Sequence, residues 1–262
     1  MIEILRAPTH KFTLAAVDFD GTMSLIRIGW QQVMHGVMKA ALQDYHPNPA
    51  HIDTDIRTYI AHSTGQPSII QMAWVDEQVM LYGGPHHGAQ FYLDQFSNAM
   101  KSQIDTRVAS ITDDTSADAF MLQGARQLLQ TLAQHDIRIA LVSGTEHHHL
   151  VRESAALRID TFFDAGIYGP GAHAPGFTKH DAIAQLVERY NVASGALISI
   201  GDGPVEIKAG KALNGYALAV ASDEHGGGLD ADKRQHLLDA GADAVVAHFG
   251  RMDLITQALF AY

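Results

Sequence analysis

No cysteine occurs in the chain, so neither a disulfide nor a thiolate nucleophile belongs to its chemistry. Cations are also scarce. Lys and Arg number 18 against 29 Asp and Glu, for a formal charge of −11. That balance argues against nucleic acid or an anionic membrane as the principal partner. No apolar run approaches the ~18 residues of a membrane span. The opening residues, "MIEILRAPTHKFTLAAV", lack the basic segment and long apolar stretch of a secretory signal, so the cytoplasm is the expected compartment.

What is present fits a globular protein with an ordinary core: 262 residues, 47% hydrophobic and 18% charged. The stretch "LAAVDFDGTMS" (14–24) ends an apolar run with Asp18 and Asp20, one residue apart. Carboxylates are costly to bury unpaired, and like charges at close range resist joint ionisation. A metal ion, a shared proton or a phosphate site would each resolve the conflict.

From residue 137 the chain alternates short β-rich runs with helical patterns. "IRIALVSG" (137–144), "FFDAGIYG" (162–169), "ALISIGDG" (196–203), "YALAVAS" and "ADAVVAHF" read as strands. Between and after them lie helices, among them "KHDAIAQLVERY" (179–190) and one from about Val205 to Leu213. Such alternation predicts a doubly wound parallel sheet, a Rossmann-like α/β core. Residues 25–117 differ. They contain amphipathic helical patterns with no convincing strand, which predicts an all-helical cap inserted into a core formed by 1–24 and 118–262.

In open parallel sheets, ligands sit beyond the carboxyl ends of the strands. Asp18, Asp20, Ser143, Gly144, Thr145, Asp202 and Glu206 all fall at such ends, and Lys179 opens a helix. The acids suit a hard cation such as Mg²⁺, which prefers oxygen ligands. The lysine, the hydroxyl and backbone N–H groups at helix starts suit a phosphate.

The stretches "DFDGT", "LVSGT", "TKHDAI" and "GDGPVEI", in this order, resemble the four motifs of the haloacid dehalogenase-like hydrolases, in the helical-cap phosphatase branch with phosphoglycolate phosphatases and β-phosphoglucomutases. The resemblance implies a Mg²⁺-dependent phosphatase acting on a small phosphorylated metabolite, such as a sugar phosphate. It implies that Asp18 is the nucleophile and that Asp20 protonates the leaving oxygen and then activates water. It further implies that Ser143, Gly144 and Lys179 hold phosphate, and that Asp202 binds Mg²⁺ with the Asp18 side chain and the Asp20 carbonyl. Glu206 stands where the family often has aspartate, and is expected to act through water or to orient Lys179. Asp20 must carry a proton when the leaving group departs, so its pKa is expected to be held up. A phosphomutase of β-phosphoglucomutase type and a non-catalytic phosphometabolite-binding protein are the alternatives.

Arg27 and Trp30, directly after the nucleophile strand, and Thr64 in "HSTGQPSIIQM" are the candidates for substrate specificity. Ser63 or Thr64 also has the form of a helix-starting cap, and Trp30 of a cap-core residue. Sixteen histidines are many, with clusters at 86–87 and 147–149. The first reads as a polar turn. The second reads as solvated or helix-packing, because consecutive helical residues point in different directions. A glycine-rich loop at 220–230 is expected near the sheet's end.

Overall fold

In this computed structural model, which describes residues 2–171, 176–223 and 227–260, the chain forms one seven-stranded sheet. A short strand, β1 (Ile2–Ile4), precedes β2 (Leu14–Val17). Four helices follow without an intervening strand: α1 (Trp30–Leu42), α2 (Ile52–Ser63), α3 (Ser68–Leu81) and α4 (Ala89–Ser110). Then come α5 (Asp114–Asp118), α6 (Ala125–Gln134), β3 (Arg138–Val142), α7 (His147–Ala156) and β4 (Gly166–Tyr168). The remainder alternates through α8 (Lys179–Arg189), β5 (Leu197–Gly201), α9 (Pro204–Ala212) and β6 (Tyr216–Val220). It ends with α10 (Ala231–Asp239), β7 (Ala244–Val246) and α11 (Met252–Phe260).

The sheet order is β1-β7-β6-β5-β2-β3-β4, parallel throughout except for β1, which pairs antiparallel with β7. Every residue of β2, β5 and β6 is buried, as strands covered by helices on both faces must be. The expected α/β class with an inserted helical cap therefore holds. The edge strand β1 is an addition to it: three residues, partly exposed, are too short to show a period. Of the glycine-rich loop, residues 224–226 lie outside the described residues.

The register places the site. Val17 stands opposite both Leu141 and Ile200, so Asp18, Ser143 and Asp202 emerge at one carboxyl edge from adjacent strands. The chain leaves the sheet at Met23–Leu25 and returns at Phe120–Leu122. These two connections hydrogen-bond to each other, Leu25 N to Phe120 O at 2.7 Å and Leu122 N to Met23 O at 3.1 Å.

Within the cap, the apolar residues follow the helical period. Met34, Met38 and Leu42 bury one stripe of α1, and Ile52, Ile56 and Ile60 one stripe of α2. The "GGPHHG" turn has a structural role. The buried Asp76 of α3 accepts from the backbone N–H of His87 (3.0 Å) and of Gly88 (2.9 Å), and lies 2.6 Å from His86 Nδ1. One carboxylate thus anchors the start of α4. Ser63 and Thr64 do not start a helix: Ser63 ends α2, Thr64 follows it, and α3 begins after Pro67 without a side-chain cap. The proline ring enforces the break before α3.

Burial would raise the Asp76 pKa, but the His87 and Gly88 N–H groups and His86 outweigh it and hold it below the usual value. A depressed folded-state pKa gives stability that is present above the unfolded value near ~3.9 and lost as pH falls through the folded one. Asp76→Ala is expected to cost about 1–3 kcal/mol at neutral pH. Urea unfolding checks this. The gap between wild type and variant should narrow as pH falls below about 4; a gap independent of pH would contradict the assignment.

Candidate active site

Lys179, the first residue of α8, is 2% exposed and is the buried centre of the site. Its Nζ lies 2.7 Å from Asp18 Oδ1 and 3.2 Å from Glu206 Oε2. The Asp18 contact is an ion pair by distance, but Asp18 Oδ1 has no directional hydrogen bond. Burial alone would lower the Lys179 pKa. Asp18 and Glu206 outweigh it and hold the ammonium above its ordinary value. Glu206 also accepts from Gly203 N at 2.7 Å, which ties it to the start of α9. Burial pushes Glu206 up to about 8, with Lys179 pulling against the shift.

Asp20 is held from two sides. Thr145 Oγ1 donates to its Oδ2 at 2.7 Å, and Arg27 Nε lies 3.7 Å from its Oδ1. Burial pushes its pKa up to about 6, against the pull of Arg27. That is the direction a proton-carrying acid requires. Asp202, at the end of β5, pairs with Lys233 of α10 at 2.6 Å. Burial still raises its pKa, with Lys233 opposing and Asp18 adding to the shift.

Asp18, Asp20, Arg27, Trp30, Thr64, Ser143, Gly144, Lys179 and Asp202 line one pocket of about 60 Å³. The candidate catalytic, phosphate-binding, metal and specificity residues are thus on its wall except for Glu206, which stands behind Lys179. Trp30 also packs on the main core, and the Thr64 hydroxyl donates to Ile60 O, so both combine a structural contact with a place at the pocket.

The segment Thr64-Gly65-Gln66-Pro67 bridges cap and core. A Cβ on Gly65, whose φ is +90°, would collide with Glu206 Oε2. A Cβ on Gly144 would lie 2.6 Å from Gln66 O. Both close approaches require glycine. They seat the cap directly on the loop that carries Gly144 and on the first turn of α9, which carries Glu206.

Three participants give little sign in the sequence. Glu153 of α7 is fully buried and forms a bidentate pair with Arg27, at 2.9 and 2.6 Å. It shares the buried stripe of α7 with Leu150, at the i+3 position, and that placement of an acid is the available signal. Lys233 and Gln71, the latter buried in the pocket wall with Nε2 donating to Ser63, have no local pattern that marks them.

Five carboxylates (Asp18, Asp20, Glu153, Asp202 and Glu206) thus meet three cations (Arg27, Lys179 and Lys233). One oxygen each from Asp18, Asp202 and Glu206 lies within 4.8 Å of the others. An all-oxygen donor set of this kind fits a hard divalent cation such as Mg²⁺.

The sequence profile of the haloacid dehalogenase-like hydrolases matches residues 12–214, most of the chain. The chain belongs to this family. As a haloacid dehalogenase-like hydrolase it shares its fold with several solved structures. A predicted phosphoglycolate phosphatase from Haemophilus somnus 129PT superposes with a TM-score of 0.62 at 14% identity, covering 95% of this chain and 100% of that one. A β-phosphoglucomutase from Clostridium difficile gives 0.62 at 16% identity, covering 94% and 96%. A predicted phosphatase from Clostridium acetobutylicum gives 0.60 at 16% identity, covering 95% and 98%. At these identities the shared property is the fold. No curated protein matches the sequence.

Glu153→Gln would leave Arg27 buried beside a neutral partner. Removing one member of a buried ion pair costs about 3–5 kcal/mol, whereas replacing both with apolar groups is often close to neutral. Denaturant unfolding should show the full loss in Glu153→Gln and most of it restored in Arg27→Met/Glu153→Leu. Equal stability of wild type and Glu153→Gln would contradict a structural Arg27–Glu153 pair.

Proposed function

We propose that this hydrolase is a Mg²⁺-dependent phosphatase that cleaves a small phosphorylated metabolite through an aspartyl-phosphate on Asp18. The observation that carries the reading is the Asp18–Lys179–Glu206 cluster, with Asp20 held at hydrogen-bonding distance from Thr145 beside it.

Asp18 supplies the attacking oxygen. A carboxylate is a weak nucleophile, but it splits a difficult transfer into two easier steps when its target is held in line. Ser143 and Gly144 line the same pocket, where the hydroxyl and the Gly144 N–H are assigned to phosphate oxygens, while Lys179 offsets charge around the nucleophile. Glu206, fixed by Gly203 N, orients Lys179. Asp20, with its raised pKa, gives its proton to the leaving oxygen. It then takes one from the water that attacks the phosphoryl group. Asp18, Asp202 and the Asp20 carbonyl are the groups that would hold Mg²⁺. When bound, it offsets the negative charge on the phosphoryl oxygens.

On the side of Thr64 and Asp202, the 60 Å³ pocket borders a cavity of about 620 Å³. The 60 Å³ pocket adjoins a cavity of about 200 Å³ and shares with it Arg27, Ser68, Phe96, Gly144 and Thr145. Asp20, the leaving-group acid, faces Arg27 on that side, so the leaving group enters this cavity. The cap seated at Gly65 and Gly144 excludes bulky polymers and bulk water.

Phosphate release is expected from members of a panel of sugar phosphates and small phosphorylated metabolites, and should be lost on chelation of divalent cations. Asp18→Asn is expected to abolish it, and Asp20→Asn to lower turnover by about 10²–10⁴-fold. Full activity of Asp18→Asn would overturn the nucleophile assignment. Isomerisation dependent on a sugar bisphosphate, without net phosphate release, would instead select the phosphomutase alternative.

A further inference from the structure

The histidine run after the Ser143–Gly144–Thr145 loop has a geometry that the reaction above does not use. Glu146 precedes α7 with an extended backbone (ψ 138°), which turns its carboxylate back over the first helical turn. Its Oε2 lies 3.6 Å from His148 Nδ1 and 3.9 Å from His149 Nε2. One ligand atom from each of the three residues lies within 4.8 Å of the other two. The two rings sit with centroids 3.9 Å apart. Consecutive helical residues were expected to diverge, and His147 is not part of the group; His148 and His149 converge because both turn toward Glu146.

We propose that Glu146, His148 and His149 form a transition-metal site, separate from the carboxylate cluster around Asp18. The ligands are two imidazole nitrogens and one carboxylate, which suit Zn²⁺, Ni²⁺ or Co²⁺ and not Mg²⁺. Tetrahedral bonds of about 2.0–2.2 Å put ligand atoms about 3.4 Å apart, so the two rings must turn out of their present tilted contact to aim both nitrogens at one ion. Three protein ligands leave a fourth position for water or another donor. Glu146 and His149 also line the 200 Å³ cavity, so the bound ion would sit on the rim of the space given to the leaving group.

Other features set the strength of the site. Burial, with Arg27 and His148 adding, pushes the His149 pKa down to about 4, which keeps the ring in its ligating neutral form. Against binding stand Arg152, whose charge is shared with Asp105, and the positive end of α7. His149 Nδ1 is buried and has no hydrogen-bond partner, so the second hydrogen bond that stiffens metal-bound histidines is missing. Such outer contacts are worth about 10–100-fold in affinity, so the site is weaker by that factor than one with the contact.

The test is calorimetric titration of the metal-stripped full chain with Zn²⁺ in saturating Mg²⁺, which occupies the carboxylate cluster. Co²⁺ is used in parallel for its visible absorption. The expected result is one site weakened about tenfold or more in both His148→Ala and Glu146→Gln, and unchanged in His147→Ala. His148 is solvent-exposed, so its truncation leaves the fold intact, as circular dichroism will show. Titrations that are identical in wild type and His148→Ala would overturn the proposal. So would equal losses in His147→Ala and His148→Ala, or the absence of Zn²⁺ binding in the wild type. The outcome does not depend on the reaction assigned to Asp18.

Discussion

Lys179 is buried between Asp18 and Glu206, and the rest of the site is arranged around the cost of keeping that charge out of water. A buried ammonium persists only if its partners are fixed, and each partner here is fixed by a different element. Asp18 follows β2, Glu206 is tied to the first turn of α9, and Lys179 itself opens α8 behind the N-cap Thr178. Parallel strands in register deliver Asp18 and the start of α9 to one edge, where Lys179 at the start of α8 meets both, so the sheet topology and the charge balance are one constraint.

The same logic extends outward. Asp202 is balanced by Lys233, and Arg27 by Glu153, so the cations near the site are already committed to carboxylates. Attraction of an anionic substrate to a chain of charge −11 then depends on charge brought to the Asp18–Asp202 edge, which its oxygen donors suit. The cap completes the enclosure by contact. Gly65 against Glu206 and Gln66 against Gly144 let its backbone approach the core loops more closely than any other residue would permit.

Much of this was legible in the sequence because strand ends concentrate it. "DFDGT", "LVSGT" and "GDGPVEI" follow apolar runs whose period and length identify buried strands, and a parallel sheet brings those ends together. The pairings across long separations were not legible. Arg27 and Glu153 stand 126 residues apart, and only packing of α7 beside the loop that follows β2 joins them. Lys233 is an ordinary lysine in the first turn of α10 until that helix is packed against α9 and β6, within reach of Asp202. Strand β1 escaped because three partly exposed residues carry no period. The convergence of His148 and His149 depends on the backbone of Glu146, which helical spacing cannot show.

The central claim is that Asp18 becomes covalently phosphorylated. The most direct measurement is to incubate Asp20→Asn with Mg²⁺ and p-nitrophenyl phosphate, quench in acid, reduce with borohydride and sequence the peptides by mass spectrometry. The account predicts homoserine at position 18, the product of reducing an aspartyl-phosphate, and none in Asp18→Asn. An unmodified Asp18 in this variant while it still releases p-nitrophenol in a Mg²⁺-dependent way would contradict it, because hydrolysis would then proceed by direct attack of water.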